Sequence, residues 1–550
     1  LQFAFSEVHF HQGGGVKTIL LSVLFLPLSL AAQTQITEEA YTPNRSAANL
    51  NETILNTSNV STSNFGKLFS YTVDASIFAQ PLYVPNVSIA GAGTHNVIYV
   101  ATMANSIYAL DADTNQAPLW YENFGPGVTT QTETNISIYG IMSTPYIDLP
   151  NFRMYFVTYT TENGADVYRL HVLDIRSGAE LLPSAVISGS SLGVTFDPSI
   201  QMQRPGLAFA NGKIIIAFGS YGDYYTWHGW IFAYDNTLTQ TAALCTTPTG
   251  IGGGLWAGGR APVVDSGGNI YFETANGDYD GVTNFGDSFI KLTPALNIVD
   301  WFTPSDFASL DAIDEDLGSS GPLMIPGTTT LIGAGKEGAI YLVNSGHMGH
   351  EMASNTQIVQ TFSDGGTGFF SGGVFNAGAF YNRSGSPAYY LWSNEFPLNA
   401  YQFNGSTLNQ TPIAQSAFPG LSGSYSAALA ISANGSVPGS GIVWASMPDQ
   451  ANDRTGNEDP GILRALDATS LNELWNSSEK STDSPGLWPK FRSPVVTNGK
   501  VYIGSIAGVS GPAATLSIYG LSCPLEVTSV FVKLTPGAPP APAVLVLSVN

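Results

Sequence analysis

The sequence predicts an all-β protein: a β-propeller of four-stranded antiparallel blades, eight of them, or seven if one weak unit is not a full blade. Three observations carry this expectation. Only 11% of the 550 residues are charged, while the chain holds 59 Gly, 33 Pro and 11% aromatic residues. Such a composition is too apolar for disorder and too rich in turn formers for a helical protein. Short stretches alternate apolar and polar residues between turn residues, the period-2 pattern of antiparallel strands. Finally, one phrase recurs along the chain at a spacing of about sixty residues, and a fixed period of that length marks a repeat architecture.

The recurring phrase is clearest as "SIYALDADTNQAPLW" (106–120) and "ILRALDATSLNELW" (462–475). Between and after these stand "RLHVLDIRSGAEL", "WIFAYDNT", "SFIKLTP", "AIYLVNSG", "PLNAYQFNG" and "TLSIYG". Aligning them makes Leu110, Leu173, Tyr234, Leu292, Val343, Tyr401, Leu466 and Tyr519 equivalent. Their spacing runs from 51 residues (Leu292 to Val343) to 65 (Tyr401 to Leu466). Most units share one internal order. A first strand is often opened by Pro, as in "AQPLYV", "STPYID", "RAPVVD" and "RSPVVT"; an alternating strand such as "NVIYVAT" or "NIYFETA" follows; then comes the "YALD" strand, and sometimes a last strand near "LW". Four such strands make one blade, and a ring of blades is a propeller. The weak unit is the one around "PLNAYQFNG".

The ends of the repeat predict how the ring closes. "GKLFSYTVD" (66–74) resembles the outer strand that follows a "YALD" turn, and the last unit stops at "TLSIYG" without one. The N-terminal strand is therefore expected to complete the last blade and remove an open sheet edge. The expected boundaries are 65–520 for the propeller, 33–64 for a polar lead-in rich in Asn, Ser and Thr, and 521–550 for a tail whose Pro/Ala run reads as a linker. Residues 1–32 read as upstream sequence and a secretory signal: Lys17, the apolar "TILLSVLFLPLSL", then Ala31 and Ala32. Cleavage is expected near Ala31 or Ala32, with residues 1–15 as translated upstream sequence and Val16 as the start. The apolar run is too short and too broken by proline to span a bilayer. The chain is thus expected to be secreted or periplasmic in a bacterium.

The formal charge of −22 reflects 19 Lys and Arg against 41 Asp and Glu. A surface of that sign repels nucleic acid and anionic membrane, and it suits divalent cations. The two cysteines, Cys245 and Cys523, are too few for a disulfide framework or a zinc cluster, and both are expected to be free. No Gly-x-Ser-x-Gly elbow, phosphate-binding loop, His-Glu-x-x-His or Cys-x-x-Cys-His motif occurs.

The "YALDA…G…LW" repeat resembles the pyrroloquinoline-quinone-like propellers over roughly residues 65–520, and within that superfamily the quinoprotein alcohol dehydrogenases. The resemblance implies a set of site residues. Trp256, behind Gly252-Gly253-Gly254, matches the Trp on which the quinone lies. Asn276, at the end of "NIYFETAN", matches a calcium-binding Asn. Asp223, ahead of His228-Gly229, matches an acidic calcium ligand, with one extra residue of spacing and His in place of the usual Arg. In the acidic loop "SLDAIDEDLGSS", Asp314 or Asp316 matches the catalytic base. Lys336, in "GAGKEGAIYLVN", matches a cation beside the quinone. The order of these residues along the chain is the family's order. The chain departs from the family in lacking an adjacent Cys-Cys pair, whose disulfide caps the quinone.

Two readings follow. The first is an exported, non-catalytic module that binds a protein, a glycan or a small molecule; the missing Cys-Cys pair and the His-for-Arg change favour it. The second is a quinoprotein-like oxidoreductase that uses pyrroloquinoline quinone and Ca²⁺ to oxidise an alcohol or sugar. Separately, "NGDYDGVTNFGD" places Asn276, Asp278, Asp280, Gly281 and Asp287 at calcium-loop positions, with a plain strand connection as the simpler expectation.

Overall fold

The computed structural model describes residues 33–522 apart from 130–135, 137, 223–225, 367, 369–370, 384, 422–424, 450–458 and 509–511. The expected signal sequence, the C-terminal tail with Cys523, and Asp223 lie outside the described residues. Eight blades are present, each built on four antiparallel strands. All eight aligned positions fall on the third strand of a blade, and every one is buried, from Leu110 in Ser106–Asp111 to Tyr519 in Thr515–Leu521. The weak unit is a full blade of Ala379–Tyr381, Ala388–Leu391, Pro397–Gln402 and Ala414–Pro419, so seven blades is ruled out.

Alternation along each strand explains why the blades form a ring. In the first blade Ile98 and Val100 pack with Tyr502 and Ile518 of the eighth. Their neighbours Val97 and Tyr99 point the other way, onto Met154 and Phe156 of the second. Successive side chains leave a strand on opposite faces, so one period-2 strand feeds two inter-blade cores. The same division recurs around the molecule, and an apolar cluster fills each junction between consecutive blades.

The ring closes as the repeat predicts. Phe65–Thr72 pairs antiparallel with Thr515–Leu521, from Phe65 opposite Leu521 to Thr72 opposite Thr515, and completes the eighth blade. Residues near both ends of the described chain therefore share one sheet, and Thr515–Leu521 is paired on both sides.

The polar segment before this strand is packed into the ring. Ile36 pairs with Tyr83 in both directions at 2.7 and 2.8 Å, and the Thr37 carbonyl accepts the Ile147 amide at 2.9 Å. The Pro43, Asn44, Ser46 and Ala47 carbonyls then accept amides of Val264, Met324, Phe380 and Ile431 in turn. Those partners lie on the first strands of the fourth to seventh blades. Ala48–Asn49 adds a short parallel strand to Ala428–Ser432. The segment is a strap that passes from blade to blade along the axial strands, and those strands supply hydrogen bonds its polar backbone would otherwise lack.

The strap also carries charge into the axis. Arg45 is fully buried; it donates to Glu38 Oε2 at 2.7 Å, to the Glu39 carbonyl at 2.8 Å and to the Pro262 carbonyl at 3.0 Å. From the facing wall Arg260 donates to the Arg45 carbonyl at 2.6 Å. Among the described residues the only α-helix is Phe307–Ala312, and no helix is long and apolar enough to cross a membrane.

Candidate functional site

In each blade the link from the preceding blade and the loop between the second and third strands emerge on the same side of the ring. Trp256 lies in the link between the third and fourth blades, and Asp314 and Asp316 in the link between the fourth and fifth. Lys336 follows the second strand of the fifth blade, Thr330–Ala334. These four residues line one cavity of about 270 Å³.

The glycines before Trp256 set its height. Gly252 has φ of 81°, and a Cβ there would stand 2.5 Å from the Asn276 carbonyl oxygen. Only glycine allows both that backbone conformation and that approach. The approach lets the Gly253 amide donate to the Asn276 carbonyl at 2.7 Å, joining the third and fourth blades. The Trp256 indole lies over Gly219, where a Cβ would meet Cε2 at 3.0 Å. Its Nε1 donates to the Ser220 carbonyl at 3.2 Å, and Trp227 meets it edge-on at 5.0 Å. The indole is partly exposed to the cavity, whereas Trp444 and Trp475 are buried between blades.

Across the cavity, Lys336 Nζ lies 2.7 Å from Asp314 Oδ1 and 2.5 Å from Asp316 Oδ2. Burial alone would favour losing the proton, but the Asp316 and Asp314 charges outweigh it and hold the Lys336 ammonium above its ordinary range. Asn276 braces the same group: its amide N–H donates to Asp316 Oδ1 at 3.0 Å and its side-chain Nδ2 to Asp314 Oδ1 at 3.3 Å. Asn276 Oδ1 is buried with no hydrogen-bond partner in the structure.

The charged and aromatic side chains of the remaining walls are Arg204, Phe375, Tyr425, Lys490 and Phe491. Arg204 stacks over the Phe491 ring at 4.6 Å and Lys490 over Tyr425 at 4.2 Å. Tyr425 meets Phe375 at 4.9 Å and Phe491 at 5.5 Å, both edge to face. Sequence reasoning missed these residues because all come from inter-blade links, which the repeat leaves variable. A signal was present: Arg260 and Arg492 each stand two residues before the Pro that opens a blade, as "RAP" and "RSP". That match aligns the Lys490-Phe491 link with the Trp256 link.

Other polar groups near the cavity have structural roles. His228 is buried; its Nδ1 lies 3.0 Å from the Thr247 carbonyl oxygen, and burial lowers its pKa. In the Asp/Asn-rich loop, Asp280 accepts the amides of Val282, Thr283 and Asn284 at 2.7–2.9 Å, plus the Thr283 hydroxyl and Asn284 amide at 2.8 Å. Burial would raise this carboxyl, but those hydrogen bonds hold it below its ordinary range. Its oxygens are engaged in fixing a turn. Among the described residues, no three His, Cys, Asp or Glu side chains are grouped to hold a metal. Cys245 is a free, buried thiol whose pKa burial pushes up to about 11, as for a packed small side chain.

No family model matches the sequence, and no curated protein does. Among solved structures the chain is similar to the quinohemoprotein alcohol dehydrogenase from Comamonas testosteroni. That match has a TM-score of 0.59 at 13% identity and covers 90% of this chain and 81% of the other. A match to Sqt1 from Chaetomium thermophilum, also 13% identical, covers 85% of this chain and 99% of the other, with a TM-score of 0.39. With its blade count, its closing strand and the first of these likenesses, the chain has an eight-bladed propeller fold similar to that of the Comamonas testosteroni structure.

Proposed function

We propose that this protein is an exported, non-catalytic binding module whose cavity takes a flat, anionic small molecule. The observation that carries this reading is the wall chemistry. Trp256, Phe375, Tyr425 and Phe491 offer aromatic faces and edges, and Arg204 and Lys490 stand on two of those rings. Such walls favour a planar ligand by stacking and a negative one by charge. The two carboxylates of the cavity are engaged by Lys336, so they do not oppose an anion as free charges would.

A second reading, a quinoprotein-like oxidoreductase acting on an alcohol or sugar, is supported by the meeting of Trp256, Asp314, Asp316 and Lys336 in one cavity. The residues fit the two implied groups unequally. Pyrroloquinoline quinone is a flat polycarboxylate and suits the aromatic and cationic walls. Calcium does not fit the donors as they stand. The Lys336 ammonium already bridges the two carboxylates a cation would need, while Asn276 Oδ1 is a buried, unpartnered oxygen beside them.

Titration of the purified protein with the quinone, followed by its absorbance, separates these readings. Binding at micromolar quinone is expected, weakened roughly tenfold (about 1.4 kcal/mol) by Trp256→Ala. No alcohol-dependent dye reduction is expected with or without added Ca²⁺. Ca²⁺-dependent turnover would replace the first reading by the second, and no binding at high micromolar quinone would remove both. Export has its own check: the mature protein should begin at Ala32 or Gln33, and an intact N-terminus in the cell envelope fraction would refute it.

A further inference from the structure

We propose that Glu39, on the strap, is a positioning residue for the Trp256 cavity, tying the bases of three of its walls to the chain's N-terminal segment. The inference rests on the cavity being a ligand site. Glu39 is buried, and its Oε2 accepts the Ala261 amide at 3.0 Å, five residues beyond Trp256. Its side chain also lies against Gly206, where a Cβ would stand 3.1 Å from Glu39 Cβ. Gly206 is two residues beyond Arg204, and its amide donates to the Gly259 carbonyl at 3.1 Å. The same carbonyl accepts Arg492 Nη1 at 3.4 Å, next to Phe491, and the Arg492 guanidinium lies in the field of the Glu39 carboxylate.

The links bearing Arg204, Trp256 and Phe491 thus converge on one buried carboxylate. None of them belongs to the strap; they meet one another at the Gly259 carbonyl, and Glu39 adjoins that junction through Ala261 and Gly206. A side chain that holds the Ala261 amide, packs against Gly206 and acts on the Arg492 charge fixes the spacing between the Trp256 indole and the Arg204–Phe491 stack. That spacing decides how thick a ligand can enter. The strap therefore acts as a floor that sets the site.

The test uses the full chain labelled with 5-fluorotryptophan, its Trp256 ¹⁹F resonance assigned by Trp256→Phe. Glu39→Ala is expected to move the Trp256 resonance and to weaken quinone binding roughly tenfold. Glu39→Gln, which keeps an oxygen for the Ala261 amide, is expected to restore the resonance. Ile36→Ala removes a buried strap contact against the first blade; it should lower the thermal midpoint and leave the Trp256 resonance in place. If Glu39→Ala yields no folded protein, Glu39→Asp, which withdraws the carboxylate by one methylene, should show the same displacement. A Trp256 resonance that ignores Glu39, or that Ile36→Ala moves equally, overturns the proposal. If the unaltered protein binds no quinone, the reading of the cavity fails, while the resonance comparison still decides the role of Glu39.

Discussion

Replacing Phe65 by alanine is expected to destabilise the ring by about 3–5 kcal/mol, the range for truncating a buried aromatic. Phe65 is the first residue of the closing strand and is fully buried. Its ring lies 5.0 Å from Trp475, edge to face, and 5.4 Å from Trp444, both of the seventh blade. It also faces Tyr519 of the eighth at 6.5 Å. One side chain therefore serves both the sheet that closes the ring and the junction beside it. Its loss leaves a cavity whose walls are large aromatic rings with little freedom to collapse. Thr72→Ala, at the exposed end of the same strand, should change stability by less than about 0.5 kcal/mol. Guanidinium unfolding followed by tryptophan fluorescence measures both. Equal midpoints for Phe65→Ala and the unaltered protein would mean the closing strand contributes nothing to closure.

A comparable loss, about 3–5 kcal/mol, is expected for Arg45→Met. Methionine matches much of the packing volume but leaves Glu38 without its partner at 2.7 Å. The Pro262 and Glu39 carbonyls also lose a donor. A buried ion pair need not be strongly stabilising as a whole, because two charges were taken out of water to make it; removing one partner strands the other. The double variant Arg45→Met/Glu38→Leu should thus be more stable than Arg45→Met alone. A double-mutant cycle by chemical denaturation reads this coupling, and additivity would show that the two side chains act independently.

The blades were legible in the sequence because each short apolar run between turn residues buries both of its faces in the ring. Ile98 and Val100 face one neighbouring blade and Val97 and Tyr99 the other. An uninterrupted run such as "NVIYVA" therefore still reports a strand. The Pro that opens "RAPVVD" and "RSPVVT" was legible for a similar reason: it stands just before the first strand of a blade, Val263–Val264 or Val495–Thr497, and outside its ladder. The unit around Pro397 has "PLNAYQ" as its third strand, with Gln402 where the "YALD" phrase has Asp. Asn399 is buried and donates to Asp364 Oδ1 at 2.8 Å, so a polar pair occupies a core position there.

The site was legible in part. Trp256, Asp314, Asp316 and Lys336 share a cavity, but the Lys336 bridge between the two carboxylates is a product of loop geometry across two blades. Arg204, Tyr425, Lys490 and Phe491 carried no local mark of their role. Each sits in a link whose only constraint is to start the next blade, and function there depends on which side chains meet across the axis.

By itself, the sequence determined the all-β class, the repeat of the blades and the strand that closes them. Those features rest on local alternation and on short phrases that recur whatever surrounds them. Only the tertiary structure decided that the polar segment around Glu39 and Arg45 is buried. Its partners, from Ile147 to Ile431, are spread over most of the chain. A charged residue is stable inside when donors and acceptors converge on it, and that convergence is a property of the closed ring.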